Sequence, residues 1–235
     1  MSNDQISDRP DDNNFQHVKT WVFDLDNTLY PAENNLFSQV DINITNYVSK
    51  LLDLPFDDAR KIQKKYLLEH GTTLNGLIHN HSVNAAHYLD SVHDIDFAPI
   101  ARDLILDQAL QNLEGRKVIF TNADTPYAEK VLERIGIAHH FDGIFDIIAA
   151  DLAPKPEVST YDRFFDVFAI DPKQSVMFED MVRNLIPAKQ AGMGTVWVNT
   201  GSPWGEADYD ASVINVETKQ LTPWLDEFVN QTANR

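Results

Sequence analysis

The feature that most constrains this chain is a double change of hydrophobic period. A short β-rich run, Val18-Lys19-Thr20-Trp21-Val22-Phe23, stops at the polar turn Asp24-Leu25-Asp26-Asn27-Thr28. From about Asn34 to Ala101 the apolar residues recur at helical spacing: Leu36, Phe37, Val40, Ile44, Tyr47, Val48, Leu51 and Leu52, closed by Pro55. A second pattern holds Ala59, Ile62, Tyr66 and Leu67 and ends at Gly71, and a third covers Val83 to Val92. The period then changes again. Short apolar runs at Lys117–Phe120, Ile144–Ala149, Ser175–Phe178 and Thr195–Val198 predict strands, with Val213-Ile214 as a last short one. Helical patterns lie between them: from Thr125-Pro126 to Gly136, from Tyr161 to Phe168, and from Asn184 to Gly192. Such alternation predicts a parallel sheet with right-handed crossovers, and the helical stretch is an insert between strand 1 and the rest.

Open parallel sheets build their sites beyond the carboxyl ends of the strands. Strand 1 is followed by Asp24, Asp26 and Thr28, strand 2 by Thr121 and Asn122, strand 3 by Asp151 and Lys155-Pro156, and strand 4 by Glu179 and Asp180. Carboxylates gathered there repel one another and call for a cation. All-oxygen donors without His or Cys favour Mg²⁺ over zinc. An Asp can act as a nucleophile that forms an aspartyl-phosphate, and a second Asp can act as general acid and then base. A hydroxyl, backbone N–H groups and a lysine can hold phosphoryl oxygens. The combined reading is Mg²⁺-dependent phosphoryl transfer to Asp24.

Composition removes several competitors. The chain has no cysteine, so disulfides, thiolate nucleophiles and Cys-ligated zinc are excluded. Its 19 Lys+Arg against 36 Asp+Glu give a net charge of −17, which argues against a nucleic-acid polymer as partner. Neither a G-x-G-x-x-G nor a Walker-type loop occurs, and no apolar run is long enough for a membrane span. Residues 1–14 are polar and acidic; they read as a disordered tail without signal-peptide character, and the expected location is cytoplasmic. His79, His81, His87 and His93 have spacings that match no standard zinc site. Trp197 and Trp204 read as core or rim packing, and Asp94 and Asp96 as solvating a hinge.

The Asp24-Leu25-Asp26-Asn27-Thr28-Leu29 run resembles the first motif of the haloacid dehalogenase (HAD) superfamily phosphohydrolases. Phe120-Thr121-Asn122, Lys155-Pro156, and Phe178-Glu179-Asp180 with Asn184 resemble its second, third and fourth motifs, in order. The fold that this implies is a Rossmann-like α/β core with an inserted α-helical cap. Core would be residues 15–31 and 102–235, and cap 32–101. Within the insert, Gly71-Thr72-Thr73-Leu74-Asn75-Gly76-Leu77, His81, Val83-Asn84-Ala85, Tyr88 and His93-Asp94-Ile95-Asp96 resemble the cap of the pyrimidine 5′-nucleotidase branch.

By that resemblance Asp24 is the nucleophile and a metal ligand. Asp26 is the acid/base, with its backbone carbonyl on the metal. Asp180 is the third protein ligand, and Glu179 acts through water. Thr121 and the Asn122 backbone bind phosphoryl oxygens, Lys155 offsets charge, and Asn184 orients Lys155 or the metal shell. His81 and Asn84 are the expected contacts to the base of a small-molecule phosphomonoester. Alternatives are a phosphatase of phosphoglycolate or a sugar phosphate, a phosphosugar mutase, a dehalogenase, which needs no acid at position 26, and a non-catalytic binding protein.

Overall fold

The computed structural model describes Phe15 and residues 17–233. The reading of residues 1–14 as a disordered tail lies outside the described residues. Six strands form one fully parallel sheet: β1 (Thr20–Phe23), β2 (Arg116–Phe120), β3 (Gly143–Phe145), β4 (Ser175–Glu179), β5 (Gly194–Val198) and β6 (Val216–Thr218). Their order is β3-β2-β1-β4-β5-β6, so β1 lies at the centre and the order reverses beside it. This is the switch point at which parallel sheets open a crevice.

Side chains on successive strand residues point to opposite faces, and both faces are covered. Trp21, Phe23, Ile119, Val176 and Phe178 share one buried cluster, with Phe23 stacked on Phe178 at 4.6 Å. Val22, Val118, Phe120 and Met177 fill the other, with Phe120 stacked on Phe164 at 4.5 Å. Helices α5 (Leu104–Asn112), α6 (Thr125–Ile135) and α9 (Leu221–Ala233) lie on the first side, and α7 (Val158–Phe168) and α8 (Val182–Ala191) on the second.

The insert between β1 and β2 carries α1 (Leu36–Leu52), α2 (Phe56–His70), α3 (Thr73–His81) and α4 (Ala85–Val92). Local chemistry sets their ends. Thr72 accepts a hydrogen bond from the Asn75 N–H and starts α3; Asn84 accepts from the His87 N–H and starts α4. A Cβ on Gly76 would lie 2.4 Å from Tyr66, so only glycine lets α3 approach α2 this closely. The segment after α4 is stitched to α1: Asn43 donates to the carbonyls of Val92 and Asp94, and Gln39 bonds the backbone of Asp96 on both sides.

Three element assignments differ from the sequence expectation. The strand expected over Ile144–Ala149 ends at Phe145, because the Asp146 carboxylate turns the chain by accepting from the Ala149 and Thr125 N–H groups. Val213 ends a 3-10 turn and Ile214 caps it, and the last strand lies at Val216–Thr218. Helices α5 and α9 were not marked by the strand–helix alternation, yet they pack on each other against the sheet. Among the described residues no helix is long and apolar enough to cross a membrane.

Candidate active site

Beyond the carboxyl ends of β1, β2 and β4 the sheet opens into a cavity of about 570 Å³. Its floor comes from strand-end turns and its wall from α1 and α2. At the floor, the Asp24 N–H still bonds the Phe178 carbonyl at 2.9 Å, after which the chain turns away from the sheet. Leu25 and Leu29 are buried in the core and Asn27 adopts a positive φ of 59°. These anchors turn both Asp24 and Asp26 toward the cavity.

Lys155 is the centre of the floor. Its ammonium, buried with the rest of the side chain, donates to Asp24 Oδ1 (2.7 Å), Glu179 Oε2 (2.6 Å) and the Phe120 carbonyl (2.8 Å). Burial alone would push this ammonium down, but the charges of Asp24 and Glu179 outweigh that and hold it up. The Thr28 hydroxyl donates to the other Asp24 oxygen, Oδ2, at 3.1 Å. Asn122 holds the backbone of Lys155: its Oδ1 accepts from the Lys155 N–H and its Nδ2 donates to the Lys155 carbonyl. Thr121 Oγ1 accepts from the Ala123 N–H and closes the same turn.

Glu179 is engaged at both oxygens, by Lys155 on Oε2 and by the Met181 N–H on Oε1. Asp180 is fixed by its backbone, whose carbonyl accepts from the Trp197 indole at 2.9 Å. A Cβ on Gly205 would sit 2.8 Å from that carbonyl oxygen, so a glycine is required where this loop crosses. Asn184 lines the cavity from α8, and its carbonyl accepts from the buried Tyr161 hydroxyl.

Asp26 has a different environment. Its Oδ1 accepts from two phenols, Tyr30 at 2.5 Å and Tyr127 at 2.6 Å. The Tyr127 ring stacks on His93 at 4.3 Å, and His93 Nδ1 lies 2.9 Å from Asp124 Oδ1. The acid at position 26 is thereby tied to the segment that leaves the insert.

The electrostatics of the floor are one-sided. Burial and the charge of Glu179 push Asp24 up to about 7 against the pull of Lys155. Burial, Glu179 and Asp24 push Asp180 well up. Burial also raises Asp26, while Tyr127 and Tyr30 hold it back. Asp24, Glu179 and Asp180 each offer an oxygen within 4.8 Å of the others. Buried oxygen donors in carboxylate excess fit a hard divalent cation.

The structure thus brings Asp24, Asp26, Thr121, Asn122, Lys155, Glu179, Asp180 and Asn184 to one cavity. Haloacid dehalogenase-like hydrolases are matched by a family model over residues 18–192. The chain belongs to that family. Phosphate metabolism protein 8 of Saccharomyces cerevisiae is 28% identical over 137 residues, 54% of this chain and 42% of the yeast protein, so the chain spans less than half the length of that relative. Among solved structures, a HAD phosphatase from Thermococcus onnurineus is similar with a TM-score of 0.60 at 18% identity, covering 90% of this chain and 98% of that one. The HAD-hydrolase YfnB from Bacillus subtilis, solved bound to magnesium, has a TM-score of 0.59 at 16% identity over 91% and 99%. The L-2-haloacid dehalogenase of Xanthobacter autotrophicus has 0.54 at 13% over 92% and 98%. These structures share the fold of this HAD-like hydrolase.

Two expected base contacts are not among the residues that line the cavity of this hydrolase. His81, in the last turn of α3, points instead to the Tyr66 hydroxyl at 2.7 Å, and Asn84 spends its carbonyl oxygen capping α4. His87 bonds the Tyr47 hydroxyl, and the His79 ring lies against His70. Asp151 is exposed in a turn. Trp197 is core, whereas Trp204 lines the cavity. The sequence reading missed Tyr30 and Tyr127, and it missed Asp41, Arg60, Gln63, Lys64 and Arg183 on the lining. Tyr30 had a local signal, since it stands one turn after Asp26. The others are set by how α1, α2, α6 and α8 face the sheet.

Proposed function

We propose that this hydrolase cleaves phosphomonoesters through an aspartyl-phosphate on Asp24, with Mg²⁺ as cofactor and pyrimidine nucleoside 5′-monophosphates as substrates. Residues 32–101 act as a cap over a core of residues 15–31 and 102–235. The observation that carries this reading is the arrangement at residues 24–28: Asp24 is held by Lys155 on one oxygen and by Thr28 on the other, while Asp26 is held separately by two phenols. One carboxylate is fixed for attack and its neighbour for proton transfer.

In the first half-reaction Asp24 forms a bond to phosphorus, the bond to the ester oxygen breaks, and Asp26 gives that oxygen its proton. In the second, Asp26 takes a proton from water, the water oxygen bonds phosphorus, and the Asp24–phosphorus bond breaks. Thr121 and the N–H groups of the Asn122 turn receive phosphoryl oxygens, with Lys155 offsetting charge. Asp24, the Asp26 carbonyl and Asp180 would hold Mg²⁺; Glu179, which accepts from Lys155 and the Met181 N–H, would act through water. A bound Mg²⁺ supplies the positive charge that keeps these carboxylates ionised and offsets charge on the phosphoryl group. The second acid distinguishes this reading from a dehalogenase, which has no use for it. The name of the Thermococcus phosphatase agrees with the phosphatase class, that of the yeast relative with phosphate metabolism, and that of magnesium-bound YfnB with the metal. The choice of nucleotide rests on the resemblance of the 71–96 segment.

A phosphate-release screen with and without Mg²⁺ tests this. UMP and CMP are expected above AMP, phosphoglycolate and hexose phosphates. Higher efficiency on phosphoglycolate or a hexose phosphate would remove the nucleotide assignment, and no release from any phosphomonoester would remove the phosphatase.

A further inference from the structure

The wall facing the catalytic floor carries a second charged group. Asp41 on α1 is held by three donors from α2: Lys64 on Oδ1 at 2.7 Å, Gln63 on Oδ1 at 2.6 Å, and Arg60 on Oδ2 at 2.8 Å. The Gln63 carbonyl oxygen is taken by the Thr45 hydroxyl. Burial pushes Asp41 up, yet Lys64 and Arg60 outweigh it and hold it below the usual carboxylate range, so it stays an anion. All four side chains, Asp41, Arg60, Gln63 and Lys64, line the same cavity as Asp24.

Donors and acceptors do not balance here. Lys64 has three N–H groups and gives one to Asp41; Arg60 has five and gives few. Asp41 answers them by accepting two donors on Oδ1 and one on Oδ2, which leaves N–H groups of both cations over. Two cations face one carboxylate, so this wall is net positive in a chain of net charge −17. Lys64 also lies 5.2 Å from the centre of the Trp204 ring, which reaches across from the loop after β5. The ammonium is therefore held at the cavity surface between a carboxylate and an aromatic face. Apart from Ser38, the rest of the wall on α1 and α2 is apolar, with Phe37, Ile42, Ile44 and Leu67.

We propose that Lys64 and Arg60 bind an oxygen acceptor at the end of the leaving group remote from the phosphate. The assignment rests on the phosphomonoesterase reading and specifies its substrate: a leaving group that ends in carbonyl or carboxylate oxygens. Asp41 and Gln63 are positioning residues that aim the two cations, and Trp204 offers a flat face beside them. A pyrimidine ring with its carbonyl edge toward Lys64 satisfies this wall. A leaving group that ends in donors alone meets only further donors on Lys64 and Arg60 and gains nothing from this wall.

The test uses the full chain with Mg²⁺, and compares UMP and 3-phosphoglycerate with phenyl phosphate, whose leaving group has no distal oxygen. In the Lys64→Met, Arg60→Met double variant, kcat/KM for at least one oxygen-ended substrate relative to phenyl phosphate is expected to fall by about tenfold or more, mainly through KM. Lys64→Arg is expected to restore most of the ratio. Which substrate responds separates ring carbonyl from carboxylate. An unchanged ratio for both substrates overturns the inference, and so does an equal fall for all three, which would make the wall structural. If the wild type hydrolyses other phosphomonoesters but neither oxygen-ended substrate, the inference also falls; if it hydrolyses no phosphomonoester at all, the phosphatase reading fails instead, so the two failures are distinguishable.

Discussion

The floor and the wall of the cavity both bury charge, and they resolve it in opposite directions. On the floor Asp24, Asp26, Glu179 and Asp180 face a single ammonium, Lys155. On the wall Asp41 faces both Arg60 and Lys64. Burial pushes Asp24, Asp26, Asp180 and Asp41 alike toward the neutral form, yet Asp24 rises to about 7 while Asp41 falls below its ordinary value. On the floor burial prevails, because one ammonium serves several carboxylates; on the wall two cations beside one carboxylate outweigh it. A floor short of positive charge suits a cation and a phosphoryl group together; a wall with surplus N–H donors suits an oxygen acceptor.

The sharpest break in that comparison is at Asp24 itself. Asp24→Asn is expected to lower Mg²⁺-dependent kcat by more than about 10⁴-fold, since it removes the nucleophile rather than weakening a contact. Phosphate release under saturating substrate measures it, and near-full activity in the variant would end the aspartyl-phosphate mechanism.

The next contrast is in stability. Lys155→Met leaves Asp24 and Glu179 buried without their counter-ion, with side chains 9% and 1% exposed, and is expected to cost about 3–5 kcal/mol in urea unfolding. Asp41→Asn on the wall is expected to cost only about 1 kcal/mol, because Arg60 is 42% exposed and reaches water. Equal losses would show that the two sites are buried alike in solution.

A smaller effect concerns proton transfer. Tyr30→Phe and Tyr127→Phe each remove one phenol from Asp26 and keep the ring, and each is expected to lower kcat by about tenfold with little change in KM. A change in KM alone would move these tyrosines from positioning the acid to shaping the cavity.

The gentlest probe is pH, read as Tm in chelator. Asp24 has its folded value raised from 3.8 to about 7, so its contribution is complete below about pH 3.8 and is lost as pH rises through about 7. Asp41 is lowered, so its contribution is present above pH 3.8 and is lost as pH falls through its lowered value. Asp24→Asn should flatten the decline toward neutral pH, and Asp41→Asn the decline in acid. If both variants altered the same limb, the opposition between floor and wall would be wrong.

Much of the floor was legible in the sequence. Strand ends are marked by where an apolar run stops, and in a parallel sheet those ends lie side by side. Asp24, Thr121, Lys155 and Asp180 were therefore placed together from one-dimensional pattern alone, and the family motifs added Asn184. The wall was not legible. His81 and Asn84 stood in the segment that resembles a nucleotidase cap, but the local packing of α2, α3 and α4 turns them to Tyr66 and to a helix cap. Asp41 and Lys64 carry no signal of their own in the sequence, because spacing tells which residues share a face and not what that face meets.

The sequence by itself determined the architecture and the residues of the floor: the period changes fix a parallel sheet with a helical insert, and chain order fixes which acids follow which strand. Only the tertiary structure decided the company each charge keeps. It set Tyr127 and, through it, His93 behind Asp26, and it turned α1 and α2 so that Asp41 and Lys64 face the cavity. Strand-end position follows from backbone hydrogen bonding that is local and periodic. Helix orientation follows from side-chain packing between segments far apart in the chain, which no local pattern records.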